Sequence, residues 1–237
     1  MTEIFELNAI GYIRSGFREK FAVPRQPGLV KSMTSTIEML PDFSRPDAYR
    51  AIREFSHIWI IFIFHQSLGK DWHDTVRPPR LGGNARIGVF ASRSPFRPNP
   101  VGISAVELLD IEFSGGTCRM HIRGADLIDG TPVLDIKPYL PYSDSINASS
   151  GFAKAPEPTM LVEFTQDVQH RLSEKEKQSG QPLKKILEEM LSFDPRPAYQ
   201  ASEDTRAEYG IRLYNLNIRF RVDGNRITVM QIEPLDD

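Results

Sequence analysis

Five arginines, Arg77, Arg80, Arg86, Arg93 and Arg97, fall within the stretch RPPRLGGNARIGVFASRSPFRPNPVG, which holds no lysine. No acidic residue occurs between Asp74 and Glu107. Planar guanidiniums in that density suit forked recognition of carboxylate or phosphate. Pro78, Pro79, Pro95, Pro98 and Pro100 stiffen the backbone around them, and Gly82-Gly83 allows a turn or a close approach to a ligand. The other candidates lie outside this stretch. Pro24 and Pro27 bracket Arg25 and Gln26, a guanidinium and an amide on an extended loop. His65-Gln66 ends an apolar run, at the point where a buried strand meets water. Asp126 and Asp129 sit at an Asp-Gly turn, and Asp135, Lys137 and Tyr139 alternate beyond it, sharing one face of a strand. Such carboxylates can hold a cation, accept a proton or cap a turn.

These residues need elements to position them. Ala9 to Arg14, Thr36 to Leu40, His57 to Phe64 and Arg86 to Ala91 read as strands, and Ile103 to Phe113 with Thr117 to Arg123 as a hairpin across Gly115-Gly116. The nearly unbroken apolarity of His57 to Phe64 predicts a strand buried on both faces. Ser44 followed by RPDAYRAIREF predicts a capped helix. Many short strands with little helix indicate a barrel or a sandwich over roughly the first 140 residues. The composition then shifts, and the expected division is a mainly β domain at 1–145, a polar linker at 146–158 and a smaller α+β domain at 159–237. In the latter, Met160 to Phe164 reads as a strand and Gln166 to Gln178 as a charged helix. Leu183, Ile186, Leu187, Met190 and Leu191 form the core stripe of a second helix. DPRPAY makes a further Arg-Pro loop, and the hairpin at Leu216 to Ile232 has an Asn/Arg face suited to solvent or RNA.

Whole-chain properties narrow the function classes. The net charge of −2 over 237 residues gives no general polyanion affinity, so any nucleic-acid contact depends on a local patch. The single cysteine, Cys118, excludes an internal disulfide and a cysteine-cluster metal site. The acidic N-terminus has no signal-peptide character and the longest apolar run is too short to span a bilayer, so a cytoplasmic protein is expected, without membrane association or metal. No G-x-G-x-x-G, P-loop or HExxH motif is present.

The blocks PRQPGLVKS, FHQS, VRPPRLGGNARIGVFASRSPFRPNPVG and DLIDGTPVLDIKPYLPY, in that order, resemble the signatures of the TsaA-like family. DPRPAY and YNLNIRFRV are similar to the second domain of its bacterial tRNA-modifying members. The resemblance implies a non-Rossmann β-barrel that binds S-adenosylmethionine, a homodimer with the cofactor near the subunit interface, and N6-methylation of threonylcarbamoyl-adenosine at tRNA position 37. It places the cofactor at Pro24, Arg25 and Gln26, at His65 and Gln66, at Arg93, and along Asp126, Leu127, Ile128 and Asp129. Candidate catalytic residues are Asp126, Asp129, Asp135, Lys137 and Tyr139. Candidate phosphate contacts are Arg77, Arg80, Arg97, Arg196, Arg219 and Arg221. Two other functions fit the same loops: a non-catalytic RNA- or nucleotide-binding module, and a methyltransferase of this barrel type with another substrate.

Overall fold

A hydrophobic period of two dominates the first half of the chain, and closing such strands on themselves buries every inward side chain without leaving an edge. The computed structural model describes residues 3–78, 81, 85–196 and 207–235. Its first strands are β1 (Gly11–Arg14), β2 (Thr34–Met39) and β3 (His57–Ile63), followed by the two-residue strands β4 (Thr75–Val76) and β5 (Ile87–Gly88). Then come β6 (Val101–Ser114), β7 (Thr117–Arg123) and β8 (Pro132–Pro138). Six of these close a barrel in the order β1-β2-β7-β6-β3-β8. Ile13, Ile37, Ile58, Ile60, Met120 and Ile122 fill it and are fully buried.

The β6–β7 hairpin turns through Gly115-Gly116, both at positive φ, as expected. Three other expectations are corrected. The helix expected after Ser44 is a pair of 3-10 turns at Pro46–Tyr49 and Ile52–Glu54, interrupted at Ala51 with φ of 66°. Ser44 does not cap it, because its hydroxyl is buried, donating to the Leu40 carbonyl and accepting from Cys118 N at 2.9 Å. The strand expected over Arg86 to Ala91 ends at Gly88, and a 3-10 turn at Val89–Ala91 takes over, closed by Ser92 N and Oγ on the Val89 carbonyl. Finally, β3 is buried on one face only: Ile58, Ile60 and Phe62 point inward, while Trp59, Ile61 and Ile63 lie half-buried on the outer wall.

After a short helix α1 (Pro141–Asp144), the second unit contains β9 (Leu161–Phe164), α2 (Gln166–Ser179), α3 (Leu183–Leu191), β10 (Ala207–Leu213), β11 (Leu216–Asp223) and β12 (Arg226–Pro234). The sheet order is β10-β11-β12-β9, with β9 parallel to β12. Thr165 caps α2 by accepting from Val168 N, and Gly180 ends it at φ of 69°. The apolar stripe of α3 covers the sheet, as its spacing predicts.

The core beneath α2 and α3 is completed by residues of the barrel's long β1–β2 connection: Phe17, Val30 and Met33. Phe17 bridges Leu213 at the free edge of β10, and Tyr214 N donates to the Gly16 carbonyl at 2.7 Å. The Tyr214 ring lies so close over Gly16 that a Cβ there would meet it at 2.7 Å. The two units therefore share one packed boundary.

Candidate functional site

The link between β7 and β8, residues 124–131, runs across one end of the barrel. Ala125 and Leu127 are buried in the barrel core, which turns the alternate residue Asp126 toward the barrel mouth. Its Oδ1 accepts a hydrogen bond from Ser104 Oγ at 2.6 Å. Ser104 is a fully buried polar residue on the inward face of β6, opposite Ile60. Burial raises the Asp126 carboxyl to about 6, against the opposing pull of Ser104 and the nearby Arg93 guanidinium. A buried, strongly perturbed carboxyl beside a charged partner marks a candidate functional site.

The β1–β2 connection forms the neighbouring wall. Gly28 N donates to the Gly124 carbonyl at 2.8 Å and Gly124 N to the Met33 carbonyl at 3.1 Å, locking residues 28–33 against the start of the aspartate link. Gln26 is thereby brought to Arg93, whose Nη1 donates to Gln26 Oε1 at 2.7 Å. Gln26, Arg93 and Asp126 thus form one group, although far apart in sequence.

His65 and Gln66 lie in a 3-10 turn, His65–Ser67, directly after β3. Lys20 reaches this turn, donating to the Gln66 carbonyl at 3.3 Å and Ser67 Oγ at 3.5 Å. Burial, with the Lys20 ammonium beside it, holds the His65 ring below the usual imidazole range, so it is a neutral hydrogen-bonding group at pH 7.

Other expected residues are placed differently. Pro24 and Arg25 face the boundary with the second unit, where Arg25 Nη2 donates to the Arg196 carbonyl at 3.1 Å. Leu127 is core, and the Ile128 carbonyl accepts from the Thr131 hydroxyl at 2.7 Å. Both Asp129 oxygens are engaged, Oδ1 by Ser15 N at 3.0 Å and Oδ2 by Arg18 Nη1 at 2.5 Å. Arg18 also donates to the Tyr214 carbonyl, so it ties the aspartate link to the second unit. Asp135 and Lys137 do share a face, ion-paired at 2.8 Å. Since Val133 and Ile136 pack toward the interior, that face is the outer wall of the barrel. Tyr139 is there too, its ring 5.5 Å from that of Trp59. The structure therefore separates Asp135, Lys137 and Tyr139 from Asp126.

Among the arginines, Arg77 is exposed beside β4, Arg97 donates to the Ser92 carbonyl at 3.3 Å, and Arg80 lies outside the described residues. Arg196 is buried, its guanidinium gripping both oxygens of Asp194 at 2.9 and 2.8 Å. Arg219 and Arg221 are exposed on β11, with Arg221 paired to Glu208 at 2.7 Å. Arg212, Glu163 and Arg226 share the surface of this sheet, so it carries mixed charge. Among the described residues, no three His, Cys, Asp or Glu side chains cluster as a metal site, and no helix is long and apolar enough to cross a membrane.

Sequence reasoning missed Ser104, Lys20 and Arg18. Ser104 had a signal, because it interrupts the inward apolar period of β6 with Val106 and Leu108. Arg18 and Lys20 act across long sequence separations and had none.

The family model described as the tRNA-methyltransferase O N-terminal domain matches residues 12–145, and that of the TrmO C-terminal domain matches 157–235. The chain belongs to the TrmO family. The tRNA (adenine(37)-N6)-methyltransferase of Escherichia coli K12 is 47% identical over 232 residues, covering 97% of this chain and 98% of that protein. A human protein of the same name is 40% identical over 138 residues, 57% of this chain and 30% of its own length. The crystal structure of TrmO from Pseudomonas aeruginosa superposes with a TM-score of 0.81 at 37% identity, covering 98% of this chain and 99% of that one. The barrel expected from the family resemblance, with a separate C-terminal sheet, is the fold observed.

Proposed function

We propose that this chain is an S-adenosylmethionine-dependent tRNA (adenine(37)-N6)-methyltransferase acting on threonylcarbamoyl-adenosine, and that the Gln26–Arg93–Asp126 group is its cofactor site. The carrying observation is the Asp126 carboxylate, sunk at the barrel mouth, bonded to Ser104 and raised to about 6. The group fits the cofactor by its donor set: a guanidinium for a carboxylate, an amide for a nucleobase edge and a carboxylate for positive charge. To it we add His65 and Gln66, in the turn directly after β3, as the family resemblance implies. S-adenosylmethionine, when bound, supplies the methyl group.

The chain's own part is to orient the two reactants, which in well-aligned systems removes about 7–11 kcal/mol from a barrier. The acceptor nitrogen must also lose a proton. Of the candidate carboxylates, Asp129 is engaged with Ser15 and Arg18, and Asp135 is paired with Lys137 on the outer wall. Asp126 is ionised above about pH 6, and its Oδ2 is the atom to which we assign the proton.

The phosphate contacts that suit this reading are Arg77, Arg97, Arg219 and Arg221, with Arg196 assigned instead to holding its loop through Asp194. We take residues 1–145 as the cofactor barrel and 159–237 as the tRNA-binding unit, joined by 146–158. We also infer a cytoplasmic homodimer. Trp59, Ile61 and Ile63 pair across the outer wall with Ala105, Ile103 and Val101, a continuous apolar strip in which Ile103 is 48% exposed.

The test is transfer of isotopically labelled methyl from S-adenosylmethionine to tRNA with and without the threonylcarbamoyl group at position 37. Transfer to the modified tRNA alone is expected. Cofactor binding without transfer to any tRNA would favour the non-catalytic module.

A further inference from the structure

A cavity of about 560 Å³ lies between the two units, lined by the β1–β2 connection, the segment from Phe152 to Thr159 and the end of α3. Its size falls within the roughly 300–1,000 Å³ of small-molecule sites. Among the described residues, the rings of Phe21, Phe152 and Phe193 line it. Phe21 is a fixed platform, because it stacks on Tyr209 at 6.1 Å and 25°, and Tyr209 stacks in turn on the buried Phe220 at 5.6 Å and 23°. Lys20, Arg25 and Lys154 bring positive charge to the same wall. Lys70 lies close enough to Lys20 that, after burial, its charge is the second cause lowering the Lys20 ammonium below the ordinary lysine range. Glu157 and Asp194 also line the cavity, so it is not a general polyanion surface.

Aromatic platforms beside cations recognise single-stranded nucleotides, the ring taking the base and the cation the phosphate. The location agrees. Residues 20–26 form a wall common to both places, with Pro24 and Arg25 turned to the cavity and Gln26 turned to Arg93. Lys20 spans the two as well, lining the cavity while bonding the turn that carries Gln66.

We propose that this cavity holds one unpaired nucleotide of the RNA substrate, its base against Phe21, Phe152 and Phe193 and its phosphate at Lys20. The inference rests on the RNA methyltransferase reading above. It makes the boundary between the units part of substrate recognition, beside the nucleotide that receives the methyl group.

The probe is adenosine 5′-monophosphate, titrated into the full chain by protein NMR, alone and with S-adenosylmethionine. Saturable shifts confined to the cavity rings are expected, persisting with the cofactor present. Adenosine, which lacks the phosphate, should bind less tightly. Phe152→Ala should weaken binding about tenfold, as should Phe193→Leu, which keeps apolar bulk but removes the ring. Displacement of the nucleotide by S-adenosylmethionine would assign the cavity to the cofactor and overturn the proposal. Shifts located elsewhere, or unchanged binding in both variants, would overturn it equally. A chain that methylates tRNA but binds the nucleotide nowhere loses this inference alone. A chain that binds it here yet transfers no methyl group refutes the proposed reaction and leaves the site.

Discussion

Replacing Asp126 by Asn should make the protein more stable and less able to bind its cofactor, with both effects following one proton. Burial lifts the Asp126 carboxyl from the ordinary 3.8 to about 6, which corresponds to about 3 kcal/mol by which the folded state prefers the neutral form. The sign follows from linkage: the native chain binds the proton more tightly than the unfolded chain, so stability declines as pH rises from 3.8 through about 6. Asn keeps the oxygen that accepts from Ser104 and carries no charge. At pH 8 the variant should exceed the parent by up to about 3 kcal/mol, and the gap should close toward pH 4. Urea denaturation of both proteins across that range measures it. Cofactor binding should change oppositely, because a bound cation stabilises the ionised carboxylate. Near pH 6 the parent should release a proton on binding S-adenosylmethionine, seen as a dependence of calorimetric enthalpy on buffer ionisation. The variant should show no release and about ten- to hundredfold weaker binding, the range for a lost charged hydrogen bond. A stability difference that is flat with pH, or a variant that binds the cofactor normally, would refute the assignment of Asp126.

Three further outcomes are expected. Asp194→Ala should destabilise the fold by about 3 kcal/mol in urea denaturation, since it strips the buried Arg196 guanidinium of its carboxylate partner. Arg219→Ala with Arg221→Ala should reduce the slope of log affinity for tRNA against log salt by about 1.4–1.8, with cofactor binding unchanged. An unaltered slope would move phosphate recognition away from β11. If the proposed homodimer forms through the apolar strip of β3 and β6, Ile103→Glu, which places a charge there, should leave a monomer by light scattering.

Local patterns carried the elements whose determinants are themselves local. Gly115-Gly116 can turn through positive φ, so the β6–β7 hairpin was legible, as was α3 from its stripe. The choice between barrel and sandwich was not, because closure depends on β1 pairing with β8, more than a hundred residues away. Ser44 read as a cap because its partner, Cys118 N, lies 74 residues away. The same limit applies to the site. By spacing alone Asp126, Asp129 and Asp135 are equivalent carboxylates. Only tertiary packing distinguishes one buried against Ser104, one bound by Arg18 and one on the outer wall. Arg196 and Arg219 likewise looked alike until Asp194, at φ of 44°, folded back onto the first.

The bridge between Phe17 and Leu213 has a bearing on solubility and on how this architecture can be divided. A strand edge without a neighbour is a template for other chains. Here β10 is covered by a segment that belongs to the barrel, and Glu19 accepts from Arg212 N at 2.9 Å to extend that cover. Cutting the chain at the 146–158 link would strip the second unit of this cover and of Phe17, Val30 and Met33 from its core. The isolated fragment should self-associate through β10, whereas the same fragment carrying a grafted copy of residues 15–33 should stay dispersed. The β1–β2 connection is thus a chaperone in miniature, carried ahead of the sheet that it shields.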